Sequence, residues 1–311
     1  MKNISNHPIV SVSLITFNQE KYISECIESI LAQKTNFEFE IVIGDDGSTD
    51  NTKSIIKKYE TEHSNIVFID RQSNIGLQLN ILDVFNNCRG KYIALLEGDD
   101  FWINENKLQL QLQFDFLELN KDCSVCFTNG FVFVDGFYKN KKKLNDSKYP
   151  DKFNLHTYIS NGISIPNNTK MFRKNANPQQ LPDLFYKCIQ WDWLLHILHG
   201  LQGDYCYLDI TTLAYRRHEN TLINIKNNER IYLDAIHMVK NINSLLPEQY
   251  WKYFKHPLYE MNSLAFHYLR LRNLRKALFW YFKWLKAIPR NKIKPRDEFY
   301  KFRQSLFKRN T

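Results

Sequence analysis

Short apolar runs rich in β-branched residues alternate, over the first hundred residues, with longer segments whose apolar residues recur every three or four positions. The short runs predict buried strands, and the periodic segments predict amphipathic helices between them. The four predicted strands cover residues 9–16, 39–44, 66–69 and 92–96. Strands that alternate with helices in this way predict an α/β fold, a mostly parallel sheet flanked by helices.

After the fourth strand the pattern becomes mixed. It predicts a helix, a strand, a polar lysine-rich mobile loop, a second helix and a returning strand, over residues 107–119, 125–134, 139–148, 184–198 and 208–215. From about residue 229 onward the pattern is helical, and after residue 270 it becomes strongly basic and aromatic. We therefore expect a main domain over residues 1–225 and a helical, basic and aromatic region over residues 226–311.

Acidic residues cluster where two of the predicted strands end. Glu97, Asp99 and Asp100 follow the fourth strand, and Asp45 and Asp46 follow the second. Like charges this close raise one another's pKa unless a cation or a hydrogen-bond donor compensates, and a hard divalent cation is a common compensation. The alternative is a polar turn that leads into a helix N-terminus. Because parallel sheets bind ligands at the carboxyl ends of their strands, two acidic ends favour a metal or nucleotide site.

Composition and short motifs narrow the function classes. Lys and Arg number 42 against 33 Asp and Glu, and the net charge of +9 favours phosphate-bearing ligands, nucleic acid or an anionic membrane surface. The glycine-rich signatures of a dinucleotide-binding Rossmann site and of a P-loop are both absent. The N-terminus lacks the apolar core of a signal peptide, and no apolar run is long enough for a membrane span. We therefore expect a cytoplasmic protein.

The six cysteines are scattered along the chain. Cys123 and Cys126 have a spacing that is typical of metal ligands, but they lie in a predicted strand, where positions i and i+3 face opposite sides. No second pair of this kind is present. We therefore expect reduced structural thiols rather than a zinc site or disulfides.

Four segments together resemble glycosyltransferase family 2. They are VSVSLITFNQEKYISECIESIL near the start, IVIGDDGSTDNT, NIG at residues 74–76, and YIALLEGDDFW. They follow the order and approximate spacing of that family, and the resemblance covers about residues 8–220. It implies an inverting enzyme with the GT-A fold, whose nucleotide-binding half is about residues 1–105 and whose acceptor half is about residues 106–225. The implied reaction moves a sugar from a nucleotide sugar, here a UDP-sugar, to an acceptor hydroxyl with Mn²⁺ or Mg²⁺.

The resemblance assigns the nucleotide and the metal to particular residues. Asp45 and Asp46 take the positions that recognise the base and the ribose, and carboxylates suit the uracil N–H and the ribose hydroxyls of UDP. Asp99 takes the position whose carboxylate holds the metal between the two phosphates. Glu97 stands where the family has the first acid of its Asp-x-Asp pattern, which leaves open whether it contacts ribose or a metal-bound water. The other nucleotide-binding residues that the resemblance implies are Thr16, Asn18, Asn74 and Gly98.

The acceptor hydroxyl needs a base. The family places this base near the start of a helix in the acceptor half, and Asp192, between Trp191 and Trp193, takes that place. Tryptophans beside a carboxyl raise its pKa by partial desolvation and offer faces for sugar stacking, so Trp191 is a predicted sugar contact. The alternative is a surface aspartate between two packing tryptophans.

Four further residues complete the predicted site. The segment LAYRRHENT resembles the Tyr-Arg-x-His segment of the family, so His218 is a predicted ligand of the metal or diphosphate, with a purely structural histidine as the alternative. Arg216 is expected to pair with phosphate oxygens. Arg173 lies in residues 161–174, which resemble the lining of the donor sugar and acceptor. Asp100 is expected to contact the metal ligands without binding the metal itself.

The C-terminal region suggests a location. From residue 270 to residue 309, fourteen basic residues are interleaved with aromatic ones, and only Asp297 and Glu298 oppose them. A basic aromatic helix fits peripheral attachment to the inner, anionic face of a membrane, beside a glycan or lipid-linked glycan acceptor. The alternative is a helical pair that packs on the catalytic domain. No nucleic-acid-binding motif accompanies the charge, so nucleic acid is not an expected partner.

Two other functions remain open. A nucleotidylyltransferase has a similar sheet, but it needs a glycine-rich, basic signature near the first strand, which residues 14–21 lack. A non-catalytic sugar- or nucleotide-binding module is the other alternative, and the presence of Asp45, Asp46, Asp99 and Asp192 argues against it. The absence of a Gln-x-x-Arg-Trp motif favours a single sugar addition over processive polymerisation.

Overall fold

The computed structural model describes residues 8–103, 109–134, 136–145, 149–161, 163–176, 181–218, 228–251 and 274–287. The chain divides into two compact units. The first comprises Met1–Leu181 and Asp192–His218, and the second comprises Pro182–Trp191 and Glu219–Thr311. The first unit contains all ten strands of one large sheet.

The first four strands are parallel and lie in the order β3-β2-β1-β4. They are β1 (Val10–Thr16), β2 (Phe39–Asp45), β3 (Ile66–Asp70) and β4 (Tyr92–Glu97). The helices between them are α1 (Ile23–Leu31), α2 (Thr52–Glu62) and α3 (Leu77–Asn87). Each helix buries the apolar residues of one face, such as Ile23, Ile27 and Ile30 of α1, which pack in one core with the strands. The predicted α/β fold is confirmed.

The remaining strands continue the sheet beyond β4, in the order β4-β9-β6-β10-β5. Strand β9 (Lys170–Arg173) is antiparallel to β4 and to β6 (Cys123–Val134), and β10 (Asp204–Arg217) is parallel to β6. The two-residue strand β5 (Phe101–Trp102) is antiparallel to β10. Because β5 begins just after β4 ends, this pairing brings the end of β10 beside the turn that follows β4.

The lysine-rich segment differs from its prediction. In place of a polar loop over residues 139–148, strand β7 (Phe137–Lys143) pairs antiparallel with β6, and β8 (Lys152–Phe153) pairs with β10. The ring of Tyr138 lies 5.8 Å from that of Phe131 and 5.2 Å from that of Phe133, so aromatic packing holds the hairpin despite its lysines. Residues 146–148 of the predicted loop lie outside the described part of the chain.

The predicted helix over residues 184–198 is two helices, α6 (Asp183–Lys187) and α7 (Trp191–Gly200). The helical hydrogen bonds stop between them because the backbone N–H groups of Ile189 and Gln190 donate to the carboxylate of Asp234, at 2.7 and 3.2 Å. The other helices are α4 (Gln109–Leu119), α5 (Leu155–Ser160), α8 (Asn228–Asn241), α9 (Glu248–Trp251) and α10 (Leu274–Ala287).

Helix α10 is the part of the basic region that the structure describes, and residues 270–273 and 288–309 of that region lie outside the described residues. Within the described ranges, no helix has both the length and the apolar character that crossing a bilayer requires.

Cys123 and Cys206 form a disulfide, so the prediction of reduced thiols is wrong for this pair. The reason is the pairing of β6 with β10: a register shift beside Asp204 brings the two Cα atoms to 6.3 Å, within the range that a disulfide spans. The two residues are 83 positions apart, and neither belongs to a spacing motif with the other. The cysteines at positions 26, 88, 126 and 188 are buried thiols.

Candidate active site

The turn after β4 is built on a glycine that leaves no room for a side chain. A Cβ atom at Gly98 would lie 2.5 Å from Gln19 Oε1 and 2.9 Å from Thr16 Oγ1. The Gly98 N–H donates to the carbonyl of Ile15 at 2.9 Å, and the Thr16 hydroxyl donates to Gln19 Oε1 at 2.7 Å. The glycine therefore lets this acidic turn (residues 97–100) pack directly against the end of β1.

Strand β10 ends on the acidic turn. His218 Nε2 lies 3.0 Å from Asp99 Oδ2. Just before it, the Arg216 backbone N–H donates to Asp100 Oδ1 at 2.7 Å, and Arg216 Nε donates to the carbonyl of Asp99 at 2.8 Å. The structure thus brings together Asp99 and His218, the two predicted metal ligands, and fixes Asp100 behind them.

The guanidinium of Arg216 is occupied by protein groups. Its Nη2 donates to Glu25 Oε2 at 2.6 Å, and the group lies between 4.7 and 5.2 Å from the ring centres of Tyr22, Phe101 and Phe133. Such cation–π contacts and the ion pair hold the side chain in place. Arg216 therefore reaches the site as predicted, but in this structure it supports the acidic turn.

Two asparagines in the short 3₁₀ turn before β9 donate side-chain hydrogen bonds to the acidic turn. Asn167 Nδ2 donates to Glu97 Oε1 at 3.2 Å, and Asn168 Nδ2 donates to Asp100 Oδ2 at 2.5 Å. The carbonyl of Asn168 in turn accepts from Trp102 Nε1 at 3.1 Å. The sequence pattern did not single out these residues, and adjacent amides before a short apolar strand are the one signal they leave.

Two carboxyl groups of the acidic turn have raised pKa values. Burial, followed by the charges of Asp99 and Asp192, raises the pKa of Glu97 to about 7, and the hydrogen bond from Asn167 opposes this rise. Burial, followed by the charges of Asp99 and Glu97, raises the pKa of Asp100 well above its ordinary value. Burial and the neighbouring carboxylates thus both oppose ionisation of the turn, and a bound cation would offset both effects.

Asp192 is the second residue of α7, as its predicted place near a helix start requires. Burial raises its pKa, and the charge of Lys170 and the hydrogen bond from Trp193 N, at 2.9 Å, oppose the rise. Lys170, the first residue of β9, is wholly buried; burial lowers its pKa to about 7, while Asp192 and Glu97 raise it. The carboxyl of Asp192 therefore interacts with both Lys170 and the acidic turn. Lys170 lies in residues 161–174, which resemble the lining of the donor sugar and acceptor, but that resemblance did not single it out.

The two aspartates that follow β2 hold loops together. Asp45 Oδ1 accepts from the Ser48 N–H at 2.8 Å, and its Oδ2 accepts from the Ser48 hydroxyl. Asp46 accepts from the N–H groups of Ile75 and Gly76, at 2.8 and 3.1 Å. Both carboxylates are buried. Neither aspartate caps α2: the N-cap of that helix is Asn51, and Asp50 just before it accepts from Thr52 N at 3.0 Å.

Three loops pack into one cluster at the ends of β1, β2 and β3. The Asn18 N–H donates to Ser48 Oγ at 2.8 Å, and Asn18 Oδ1 accepts from Thr49 N at 2.8 Å. Gly47 has a φ of 75°, and a Cβ atom there would lie 2.6 Å from Asn74 N. Residues 16–19, 45–50 and 73–76, which we call the three-loop cluster, therefore contain five of the predicted nucleotide-binding residues: Thr16, Asn18, Asp45, Asp46 and Asn74.

Arg173 lies away from this site. It pairs with Tyr92 at the start of β4, whereas the acidic turn follows the end of that strand. Arg173 Nε donates to the carbonyl of Cys123 at 2.8 Å, Nη1 donates to Tyr92 Oη at 2.7 Å, and Nη2 donates to the carbonyl of Leu117. The structure therefore does not bring Arg173 to the phosphates or the sugar, and its contacts are those of a structural residue.

Trp191, the predicted stacking residue, belongs to the second unit, whereas Asp192 belongs to the first. Its side chain is 4% exposed, and its ring lies edge to face with Phe185 at 6.1 Å. The indole therefore packs within its own unit, which matches the alternative of a packing tryptophan better than an open sugar platform.

Over the described residues, no group of three or more His, Cys, Asp and Glu side chains forms a metal site. Asp99 offers a carboxylate, which suits both Mn²⁺ and Mg²⁺, and His218 offers an imidazole nitrogen, which suits a transition metal such as Mn²⁺ better than Mg²⁺. These cations need about six ligands, so an ion on this pair needs further oxygens from water or from a bound anion. A cation here would also favour the ionised forms of the neighbouring Glu97 and Asp100, so the residues fit a cation that a ligand helps to hold.

The profile of "Glycosyl transferase family 2" matches residues 11–179, more than half of the chain. The chain belongs to this family. An uncharacterised protein of Mycobacterium tuberculosis is 33% identical over 216 residues, which cover 67% of this chain and 59% of that protein. TuaG of Bacillus subtilis, named for teichuronic acid biosynthesis, is 32% identical over 123 residues, 39% of this chain and 46% of that protein. This family 2 chain thus spans less than two thirds of the length of these relatives.

Solved structures match the family 2 chain over most of its length. S. aureus TarS 1–349 in complex with UDP-GlcNAc has a TM-score of 0.56 at 17% identity and covers 96% of this chain and 93% of its own. The mannosyltransferase PcManGT from Pyrobaculum calidifontis, in complex with GDP-Man and Mn²⁺, has a TM-score of 0.57 at 12% identity and covers 98% of this chain and 88% of its own. At these identities the likeness shows the fold, and the predicted GT-A architecture is confirmed.

Proposed function

We propose that this protein is an inverting glycosyltransferase that moves a sugar from a nucleotide sugar, a UDP-sugar, to an acceptor hydroxyl with the help of Mn²⁺ or Mg²⁺. The observation that carries the proposal is the 3.0 Å approach of His218 Nε2 to Asp99 Oδ2 on the acidic turn. A carboxylate and an imidazole so placed suit a cation shared with a diphosphate. Two proteins of the same fold support the donor class, because TarS binds UDP-GlcNAc and PcManGT binds GDP-Man with Mn²⁺.

In this proposal the three-loop cluster and the acidic turn bind the nucleotide-sugar donor. Asp45 and Asp46 accept from the uracil N–H and the ribose hydroxyls, Asn18 and Asn74 lie on the same cluster, and Glu97 reaches ribose. Because the carboxylates of Asp45 and Asp46 are buried and already accept from neighbouring loops, a bound nucleotide competes with those contacts. Gly98 supports donor binding indirectly, because its missing side chain lets the acidic turn pack against Thr16 and Gln19 at the end of β1.

Asp192 acts as the base. Its carboxylate takes the proton of the acceptor hydroxyl while the acceptor oxygen forms a bond to the anomeric carbon. The bond from that carbon to the diphosphate breaks, its electron pair stays on the diphosphate oxygen, and attack from the opposite face inverts the anomeric configuration. Burial raises the pKa of Asp192, which makes it a stronger base near neutral pH. A divalent cation, when bound, neutralises charge on the departing diphosphate.

Calorimetry of UDP binding, with and without Mn²⁺ or Mg²⁺, tests the donor and the metal together. We expect binding that requires the metal and is lost in Asp99→Ala. A panel of nucleotide sugars, assayed for metal-dependent hydrolysis and transfer, then identifies the sugar. UDP binding without turnover of any donor would support a non-catalytic binding module instead, and synthesis of a nucleotide sugar from a sugar phosphate would support a nucleotidylyltransferase.

The acceptor is a glycan or a lipid-linked glycan of cell-surface polysaccharide synthesis, a proposal that the likeness to TuaG supports. On α10 the side chains of Phe279 and Phe282 are more than half exposed, and those of Arg275 and Lys283 are exposed as well. This combination fits peripheral attachment to the anionic, cytoplasmic face of a membrane.

Flotation of the full chain with phosphatidylcholine vesicles, with and without an anionic phospholipid, tests this attachment. We expect binding that needs the anionic lipid and weakens in Phe279→Ser with Phe282→Ser. Equal recovery with neutral vesicles, or an unchanged double variant, would contradict attachment through α10. Tyr186→Ser, which removes another partly exposed aromatic ring, is the matched control.

A further inference from the structure

Strand β9 turns two side chains toward α7. The ring of Phe172 lies 4.4 Å from that of His199, near the end of the helix. Side chains two positions apart on a strand point to the same side, so Lys170 faces α7 together with Phe172. Lys170 has no exposed surface.

Helix α7 presents three titratable side chains to β9. Asp192, His196 and His199 are four and three residues apart, the spacing that places side chains on one face of a helix. The charge of Lys170 lowers the pKa of each of the three, so its ammonium group lies within electrostatic reach of the whole face. After burial, Lys170 is the largest influence on Asp192.

The backbone of Lys170 is held by the segment that supports the acidic turn. The side chains just before it, Asn167 and Asn168, donate to Glu97 and Asp100, and Gln113 Nε2 donates to the carbonyl of Thr169 at 2.7 Å. Lys170 itself pairs with Phe127 of β6. The backbone of Lys170 therefore belongs to the same segment that contacts the acidic turn.

A fully buried lysine is rare, because removing an ammonium group from water costs free energy that an apolar side chain of similar length avoids. A methionine would fill this place in β9 without that cost, so the charge points to a function. We propose that Lys170 is a positioning residue for Asp192: the buried ammonium group of Lys170 favours the ionised form of the Asp192 carboxyl at the start of α7. The assignment rests on the proposed role of Asp192 as the base.

Four other titratable groups face this pair: Glu97 on β4, Tyr158 on α5, and His196 and His199 on α7 itself. Burial lowers the pKa of both histidines and raises the pKa of Tyr158, which leaves all three uncharged near neutral pH. Glu97 carries charge of the same sign as Asp192 and so opposes its ionisation. Burial lowers the pKa of Lys170 to about 7, so below that pH its ammonium group supplies the positive charge that favours the Asp192 carboxylate.

The test compares Lys170→Met, which removes the charge, with Lys170→Arg, which keeps it, and with Lys174→Met, a control at an exposed lysine of the same segment. The pH profile of kcat/KM is measured with the donor that the panel identifies, and UDP affinity is measured by calorimetry. In Lys170→Met we expect the acid limb of the profile to move up by about one pH unit, because an adjacent cation lowers a carboxyl pKa by one unit or more. UDP affinity should stay near the wild-type value. The acid limb of the kcat/KM profile should also keep its wild-type position in Lys170→Arg and in Lys174→Met.

Carbon-13 NMR titration of the Asp192 carboxyl, in wild type and Lys170→Met, gives the same comparison without substrate. An upward shift of similar size supports the proposal even where no turnover is found, and an absence of turnover, or a fully active Asp192→Asn, counts against the proposed function instead. An unmoved Asp192 titration, or an activity loss in Lys170→Met that is equal at every pH, would overturn the role of Lys170. If Lys170→Met does not fold, Lys170→Gln takes its place, and failure of both to fold would show a purely structural role.

Discussion

His218 Nε2 lies 3.0 Å from Asp99 Oδ2, although 119 residues separate the two along the chain. The contact exists because β10 pairs with β5 directly after the acidic turn, and because the Arg216 N–H donates to Asp100 just before the histidine. The sheet topology thus brings a carboxylate and an imidazole together at the end of β4. The sheet topology therefore positions the two residues that hold the metal in the proposed transfer.

Loss of either partner should weaken metal-dependent UDP binding, but to different degrees. Asp99→Ala removes the carboxylate in the metal-binding position, and we expect no metal-dependent binding by calorimetry. His218→Gln leaves Asp99 and should weaken metal affinity by about 10- to 100-fold, the range found when a supporting metal contact is lost. Asp209→Ala, which removes an exposed carboxylate of β10, is the control and should bind as wild type does. Metal-dependent binding retained in Asp99→Ala would refute the assignment.

Replacement of the base should separate catalysis from binding. Asp192→Asn keeps the size of the side chain but cannot accept the acceptor proton, so kcat should fall by about 100- to 10,000-fold, the usual contribution of a general base. UDP affinity should remain within a factor of about two, since in our proposal Asp192 acts on the acceptor and affects the donor-binding acidic turn only through its charge on Glu97. A parallel loss of UDP affinity and kcat would instead point to a collapsed site.

Much of the first half of the fold follows from the sequence. The first four strands are short and rich in β-branched and other apolar residues, and helices such as α1 carry a regular buried stripe, so the local pattern is enough to predict them. The acidic turn was predictable for a related reason. Because strand ends of a parallel sheet share one edge, Asp45 and Asp99 had to lie on the same side of the molecule.

Features that depend on distant partners were not predictable in this way. Strand β9 has four residues and no period, so neither the burial of Lys170 nor the hydrogen bond from Asn168 to Asp100 leaves a local signal. The disulfide between Cys123 and Cys206 depends on a register shift between two strands. In each case the decisive neighbour is tens of residues away along the chain.

Arg173 should matter for stability and not for sugar transfer. Its guanidinium donates to the carbonyls of Cys123 and Leu117 and to Tyr92 Oη, and the side chain is 13% exposed. Arg173→Met leaves these buried acceptors without their donor, so we expect the free energy of unfolding to fall by about 2 kcal/mol or more in chemical denaturation. The control Arg275→Met, at an exposed position of α10, should have little effect. If Arg173→Met lowers kcat/KM and leaves the stability unchanged, the predicted contact of Arg173 with the substrate would be supported instead.

Glu118 should contribute a pH-dependent part of the stability. Hydrogen bonds from Lys121, Lys91 and Tyr92 lower its pKa to about 2, below the value of about 4.3 expected in the unfolded chain. A lowered pKa stabilises the folded state above pH 4.3, and this stabilisation is lost as the pH falls from about 4.3 to about 2. Glu118→Gln should therefore be less stable than wild type at pH 7, with the difference shrinking toward pH 2. Asp115→Asn, which removes an exposed carboxylate of the same helix, is the matched control for the loss of an acid.

Reduction of the disulfide between Cys123 and Cys206 should destabilise the first unit. The bond closes a segment of 83 residues, and a crosslink of this span stabilises a protein by about 4 kcal/mol, mainly by restricting the unfolded chain. We therefore expect dithiothreitol to lower the free energy of unfolding of the wild type to that of Cys123→Ser. Cys126→Ser, at the thiol that pairs in register with Cys206, should keep its full response to the reductant, because that thiol lies outside the bond. Unfolding curves that do not change with reductant, together with six alkylated thiols in the unreduced protein, would show that the bond does not form in solution.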